Sequence, residues 1–89
     1  MMEIELNLTK SADKFFTKHT QIYDKFIQNL KSFYCENNQN IDIKAMKGHK
    51  NLYRMRINDY RVIYSIQNGK MIIISVLMVA SRGQVYKKF

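Results

Sequence analysis

A chain of 89 residues that is 46% apolar, lacks proline and carries a formal charge of +8 is expected to form one domain over 1–89, with a compact core of limited size. Cys35 is the single cysteine and the two histidines lie far apart, so an internal disulfide and a zinc-type ligand cluster are both excluded, and neither metal nor cofactor is expected. The longest apolar segment, Met71 to Ala80, is too short to span a bilayer and the N-terminus does not read as a signal peptide, which points to the cytoplasm and away from a membrane.

Glu3 to Leu8 alternates strictly, placing Ile4, Leu6 and Leu8 on one side of a half-buried strand. Thr9 or Ser11 is suited to cap a helix carrying Ala12, Phe15 and Phe16, with His19 near its end. Thr20 offers a second cap. Behind it Ile22, Tyr23, Phe26, Ile27, Leu30, Phe33 and Tyr34 form an apolar stripe of helical period. The polar run from Glu36 to Asn40 ends that helix, and Ile41, Ile43 and Met46 form an apolar anchor before Gly48.

From there the period is two. Tyr53, Met55 and Ile57 point one way and Arg54 and Arg56 the other. Asn58-Asp59 is a tight turn, after which Tyr60, Val62, Tyr64 and Ile66 alternate with Arg61, Ile63 and Ser65. Asn68-Gly69 predicts a type I′ hairpin turn, which needs positive φ at both positions. The nearly continuous apolar run Met71 to Val79 reads as a central strand covered on both faces. Tyr60 and Tyr64 are assigned to the core, and Met46, Met55, Met71 and Met78 to filling its gaps; His19 and His49 are placed at the surface.

The expected fold is therefore α+β, in the order β-α-α-β-β-β with a tail. Two N-terminal helices pack on one face of a small, mainly antiparallel twisted sheet, over Tyr53, Met55, Ile57, Val62 and Tyr64. The opposite face carries Arg54, Arg56 and Arg61, and three arginines resist burial without partners, so that face is expected to stand open.

Charge is distributed unevenly. Residues 1–43 hold five lysines against six acids, whereas residues 44–89 hold ten cations against Asp59 alone, which is −1 against +9. Asymmetry of this size favours a polyanion or an acidic protein as partner.

Met46-Lys-Gly48, Tyr53-Arg-Met-Arg56, Asp59-Tyr-Arg-Val-Ile-Tyr64 and Arg82-Gly-Gln-Val-Tyr86 together resemble the RelE/ParE superfamily, the toxin half of bacterial type II toxin–antitoxin pairs, over essentially the whole chain. The resemblance implies a RelE-like toxin that enters the ribosomal A site and cuts mRNA, using the RNA 2′-hydroxyl as nucleophile. It carries the catalytic role to Arg54, Arg56, Arg61, Arg82 and Tyr86; Lys47, Lys50, Lys87 and Lys88, from the cationic half, are the expected RNA-binding residues beside them. It also implies a cognate antitoxin. Ser81 stands where many members have histidine, and Arg54 and Arg56 where the nuclease prototype has lysines, so their role is electrostatic. Two alternatives share the fold: a ParE-like inhibitor of DNA gyrase, and a catalytically weak member that keeps only antitoxin binding.

Overall fold

The computed structural model describes residues 3–81. Strand β1 (Ile4–Leu8) leads into helix α1 (Lys10–Lys18) and helix α2 (Thr20–Glu36), followed by β2 (Ile43–Ala45), β3 (Leu52–Ile57), β4 (Tyr60–Asn68) and β5 (Ile72–Ser81). The five strands form one sheet in the order β1-β5-β4-β3-β2. β1 runs parallel to β5, pairing Ile4 with Ile72, and the remaining neighbours are antiparallel. The expected α+β architecture is present, with a short fifth strand, β2, in place of the apolar anchor that periodicity suggests.

Both helices lie on the predicted face. Thr9 caps α1: its Oγ1 accepts the Ala12 N–H at 3.2 Å and its hydroxyl donates to the Leu77 carbonyl at 3.0 Å. One hydroxyl thus starts the helix and ties it to β5. α2 follows after the single residue His19, whose φ of −125° and ψ of 66° turn the chain between helices. Thr20 is the first residue of α2 and His19 holds the cap position, with no side-chain cap hydrogen bond; the expected cap at Thr20 is not made. At its other end α2 closes on Asn37 in the left-handed region (φ 57°), a conformation asparagine tolerates well.

The main core lies between the helices and the sheet. Ala12, Phe16, Phe26 and Leu30 meet Met55, Ile57, Val62, Tyr64, Ile72, Ile74 and Val76, all buried. Phe16 stacks on Phe26, whose ring meets Tyr64 edge-on with centroids 6.0 Å apart.

The unbroken apolar run of β5 has a specific cause. Ile63 pairs with Met78 but Tyr64 pairs with Val76, leaving Leu77 as the extra residue of a bulge. Val79 faces the helices on one side of the bulge, and Val76, Ile74 and Ile72 do so on the other, because the bulge shifts the alternation by one. The β4–β5 hairpin also differs from expectation. Neither Asn68 nor Gly69 has positive φ; Asn68 pairs with Ile72, and Gly69 N–H donates to the Met71 carbonyl at 3.1 Å across a three-residue loop. Left-handed geometry falls at Asn58, in the β3–β4 turn, and at Gly48 and Asn51 before β3.

Candidate functional site

The face turned away from the helices collects the residues that alternation assigns to it. In register, Lys44 of β2, Arg54 of β3, Ile63 of β4 and Met78 of β5 form one row across four strands. Arg56, Arg61 and Ala80 form the next. Arg54, Arg56 and Arg61 therefore share one face, as expected, and Arg56 and Arg61 are direct cross-strand partners. Towards β1 the same face turns polar, with Ser65 opposite Ser75 and Ser75 opposite Asn7.

The three arginines differ sharply in surroundings. Arg56 is exposed. Arg54 has a side chain 13% exposed, and its Nη2 reaches Asp42 Oδ1 at 3.5 Å. Arg61 is buried, with 4% of its surface exposed; Nη1 donates to the Tyr60 carbonyl at 3.3 Å, while Nε is buried without an acceptor. The open arginine face expected from sequence thus needs correction at Arg61. A second apolar cluster explains the depth of that face: Ile63 and Ala80 are buried on it, with Met46 and Met78 packed against them. Alternation assigned Ile63 to this face, but only the folded chain shows Met46 and Met78 drawn onto it.

Lys47 and Lys50 are exposed in the loop between β2 and β3, beside exposed His49. The loop is shaped by backbone: His49 N–H donates to the Met46 carbonyl at 3.2 Å and Gly48 has φ 81°, as the third position of a type II turn requires. A side chain added at Gly48 would meet no atom within 4 Å, so what the position demands is the dihedral angle. Arg82, Tyr86, Lys87 and Lys88 lie outside the described residues.

Asp42 went unremarked in the sequence as a site residue. Besides its contact with Arg54, its carbonyl accepts the Arg56 N–H at 3.0 Å, so it contacts both β3 arginines. The sequence holds only a positional hint, an acid two residues before Lys44 at the edge of the cationic half, and the contact itself depends on β2 lying beside β3.

On the helix side, Tyr34 and Tyr64 share a hydrogen bond of 2.8 Å and Tyr53 stacks on Tyr64. Burial raises the Tyr64 pKa well above that of a free phenol, and the bond to Tyr34 adds to the rise. Tyr34 is raised as well, chiefly by burial, against a lowering contribution from the bond to Tyr64. These phenols stay protonated and structural. His19 is half-buried rather than fully at the surface, stacked on Phe15 with centroids 4.2 Å apart.

Among the described residues no group of three or more His, Cys, Asp or Glu side chains is placed to hold a metal ion, and no helix is long and apolar enough to cross a membrane. The face without helices carries four cations, Lys44, Arg54, Arg56 and Arg61, around the buried pair Ile63 and Ala80, while the opposite face packs Tyr64 and aliphatic side chains under the helices.

A small α+β domain with its helices on one side and such a face on the other is the build of a RelE-like toxin. Residues 6–86 match the family described as ParE toxin of type II toxin-antitoxin system, parDE, and the chain belongs to that family. Two solved structures are similar over 93% of this chain. One is the RelB-RelE antitoxin-toxin complex from Methanococcus jannaschii, at 29% identity and TM-score 0.62 over 98% of that chain. The other is the archaeal RelE-RelB complex from Pyrococcus horikoshii OT3, at 27% identity and TM-score 0.66 over 99% of that chain. No curated protein sequence matches.

Proposed function

We propose that this toxin acts on mRNA held in the ribosomal A site, cleaving it through the RNA's own 2′-hydroxyl, and that a cognate antitoxin restrains it by covering the cationic face. The observation carrying this reading is the pair of cross-strand cation rows, Lys44–Arg54 and Arg56–Arg61, on the face the helices leave uncovered. In such a cleavage the 2′-oxygen attacks phosphorus, the bond to the 5′-oxygen breaks, and a cyclic phosphate and a free 5′-hydroxyl result. Negative charge builds on the non-bridging oxygens, and fixed guanidinium groups stabilise it.

Arg56 is exposed and takes the phosphate contact directly. Arg61, lying across from it and beneath the surface, raises the local potential as a fixed charge. Arginine holds its proton, so proton transfer falls to Tyr86, on the strength of the family resemblance, or to a ribosomal group. Lys47 and Lys50 extend the positive surface along the RNA backbone. The kinship with toxins solved in antitoxin-toxin complexes supports the antitoxin as partner, and an acidic segment would suit the +9 half.

A second reading, inhibition of DNA gyrase by binding, needs no catalytic contact from Arg61 and so is compatible with the burial of that side chain. One pair of assays separates the two. Purified toxin is added to a defined translation reaction and mRNA ends are mapped by primer extension; in parallel, gyrase supercoiling is measured. Ribosome-dependent cuts that fall roughly 100-fold with Arg56→Ala support the nuclease. Intact mRNA with blocked supercoiling supports the second reading.

A further inference from the structure

We infer that Asp42 is a built-in counter-ion to Arg54, and that a phosphate of the bound polyanion displaces it. This rests on the proposed use of the uncovered face for RNA. Asp42 lies opposite Arg56 in the β2–β3 ladder, since Ile43 pairs with Met55, and its carbonyl accepts the Arg56 N–H at 3.0 Å. Its carboxylate turns instead to the diagonal neighbour, Arg54, with Oδ1 3.5 Å from Nη2.

The two partners are unequally held. The Arg54 side chain is 13% exposed and the Asp42 side chain 39%. The arginine is packed in place while the acid has water beside it, so exchange moves the acid and leaves the guanidinium where it stands. A single contact at the long end of hydrogen-bond range is not a two-pronged fork. A phosphate, with several oxygens, takes two donors from the same guanidinium. Lys44 sits directly opposite Arg54, and like charges so placed repel. Asp42 relieves that repulsion in the empty protein, and phosphate relieves it in the complex.

Affinity for a polyanion is then a competition between one carboxylate and one phosphate for the same arginine. Removing the carboxylate without changing shape strengthens binding, and it does so through Arg54 alone. Asp42→Asn keeps the side-chain shape and the backbone carbonyl that Arg56 uses. Asp24→Asn, at an exposed position on α2, makes the same change in net charge and serves as control.

The test titrates a labelled ten-nucleotide single-stranded RNA by fluorescence anisotropy, over a range of KCl concentrations. The forms compared are wild type, Asp42→Asn, Asp24→Asn, Arg54→Ala, Arg56→Ala and the Asp42→Asn/Arg54→Ala double variant. Asp42→Asn is expected to bind about two- to fivefold tighter than wild type, the factor that a weak, single-contact ion pair with one partner in water corresponds to. Because the same phosphate meets Arg54 in both forms, its log–log salt slope should match that of wild type, whereas Arg54→Ala should flatten the slope by about 0.7, one phosphate fewer on a single strand. In the Arg54→Ala background the gain should vanish. A gain matched by Asp24→Asn, or one that survives without Arg54, overturns the inference while leaving RNA binding itself standing, provided Arg56→Ala weakens it. If no form binds RNA, the reading of the face and the inference both fall.

Discussion

Arg61 has its Nε buried without an acceptor and its guanidinium directly across from Arg56, so it loses hydration and meets like charge at once. Replacing such a group by an apolar side chain of similar length is commonly neutral or stabilising. Arg61→Met is expected to raise stability by about 1 to 3 kcal/mol, read from the midpoint of urea unfolding, and to lower toxin activity. Reduced stability would mean that the guanidinium is held by more than the Tyr60 carbonyl. Tyr64 presents the opposite case, a buried polar group that is satisfied. Tyr64→Phe should cost about 1 kcal/mol by removing the bond to Tyr34. The pH dependence has a definite sign. The folded pKa lies above the unfolded value of about 10, so the contribution is complete below pH 10 and is lost as pH rises beyond it. Unfolding midpoints between pH 8 and 11 should therefore fall less steeply in Tyr64→Phe than in wild type. Alternation along β3 and β4 was enough to put both residues on their correct faces. Depth was not readable from it, because part of the cover over Ile63 and Ala80 comes from Met46, which lies outside β4 and β5 and is brought there only by the fold.

At the level of elements, long strongly periodic segments were legible and short or irregular ones were not. β1, the apolar stripe of α2 and the β3–β4 hairpin follow their periods directly. β2 has three residues, too few for a period to register, and exists because its backbone pairs with β3. The bulge at Leu77 made β5 look covered on both faces when a shift in alternation accounts for much of the run. Asn68-Gly69 marked the hairpin correctly but not its turn, since pairing out to Asn68 and Ile72 set a longer loop. Within the site, the arginine positions were legible and Asp42 was not, because its contacts depend on β2 lying beside β3. Thr9 joins two elements, capping α1 while bonding to the bulge residue of β5. Thr9→Ala is expected to cost about 1 to 2 kcal/mol, measured by urea unfolding, and Thr9→Ser to recover most of it. Equal loss in both variants would assign the effect to the methyl group.

Across the whole molecule, charge works against compactness. The net +8, made of +9 in residues 44–89 against −1 in residues 1–43, places Lys44 opposite Arg54 and Arg56 opposite Arg61 at cross-strand distances of about 5 Å. Screening acts over about 10 Å at 0.1 M salt and about 3 Å at 1 M, so these pairs repel at ordinary ionic strength and are relieved only at high salt. A small domain has few kcal/mol in reserve, so this repulsion should be visible in its melting temperature. The free toxin is expected to melt at higher temperature as KCl rises from about 0.02 M to 0.5 M. A polyanion changes the sign of that dependence. Bound only by the folded state, a heparin fragment stabilises in proportion to RT ln(1 + [L]/Kd), and its Kd weakens as salt displaces it. With heparin present the melting temperature should start high at low salt and fall, meeting the rising curve of the free protein. The measurement is one pair of thermal melts across salt. If the free protein loses stability as salt is added, opposite-charge pairs outweigh the cation rows, and the uncovered face is then no site of stored repulsion for RNA or antitoxin to release.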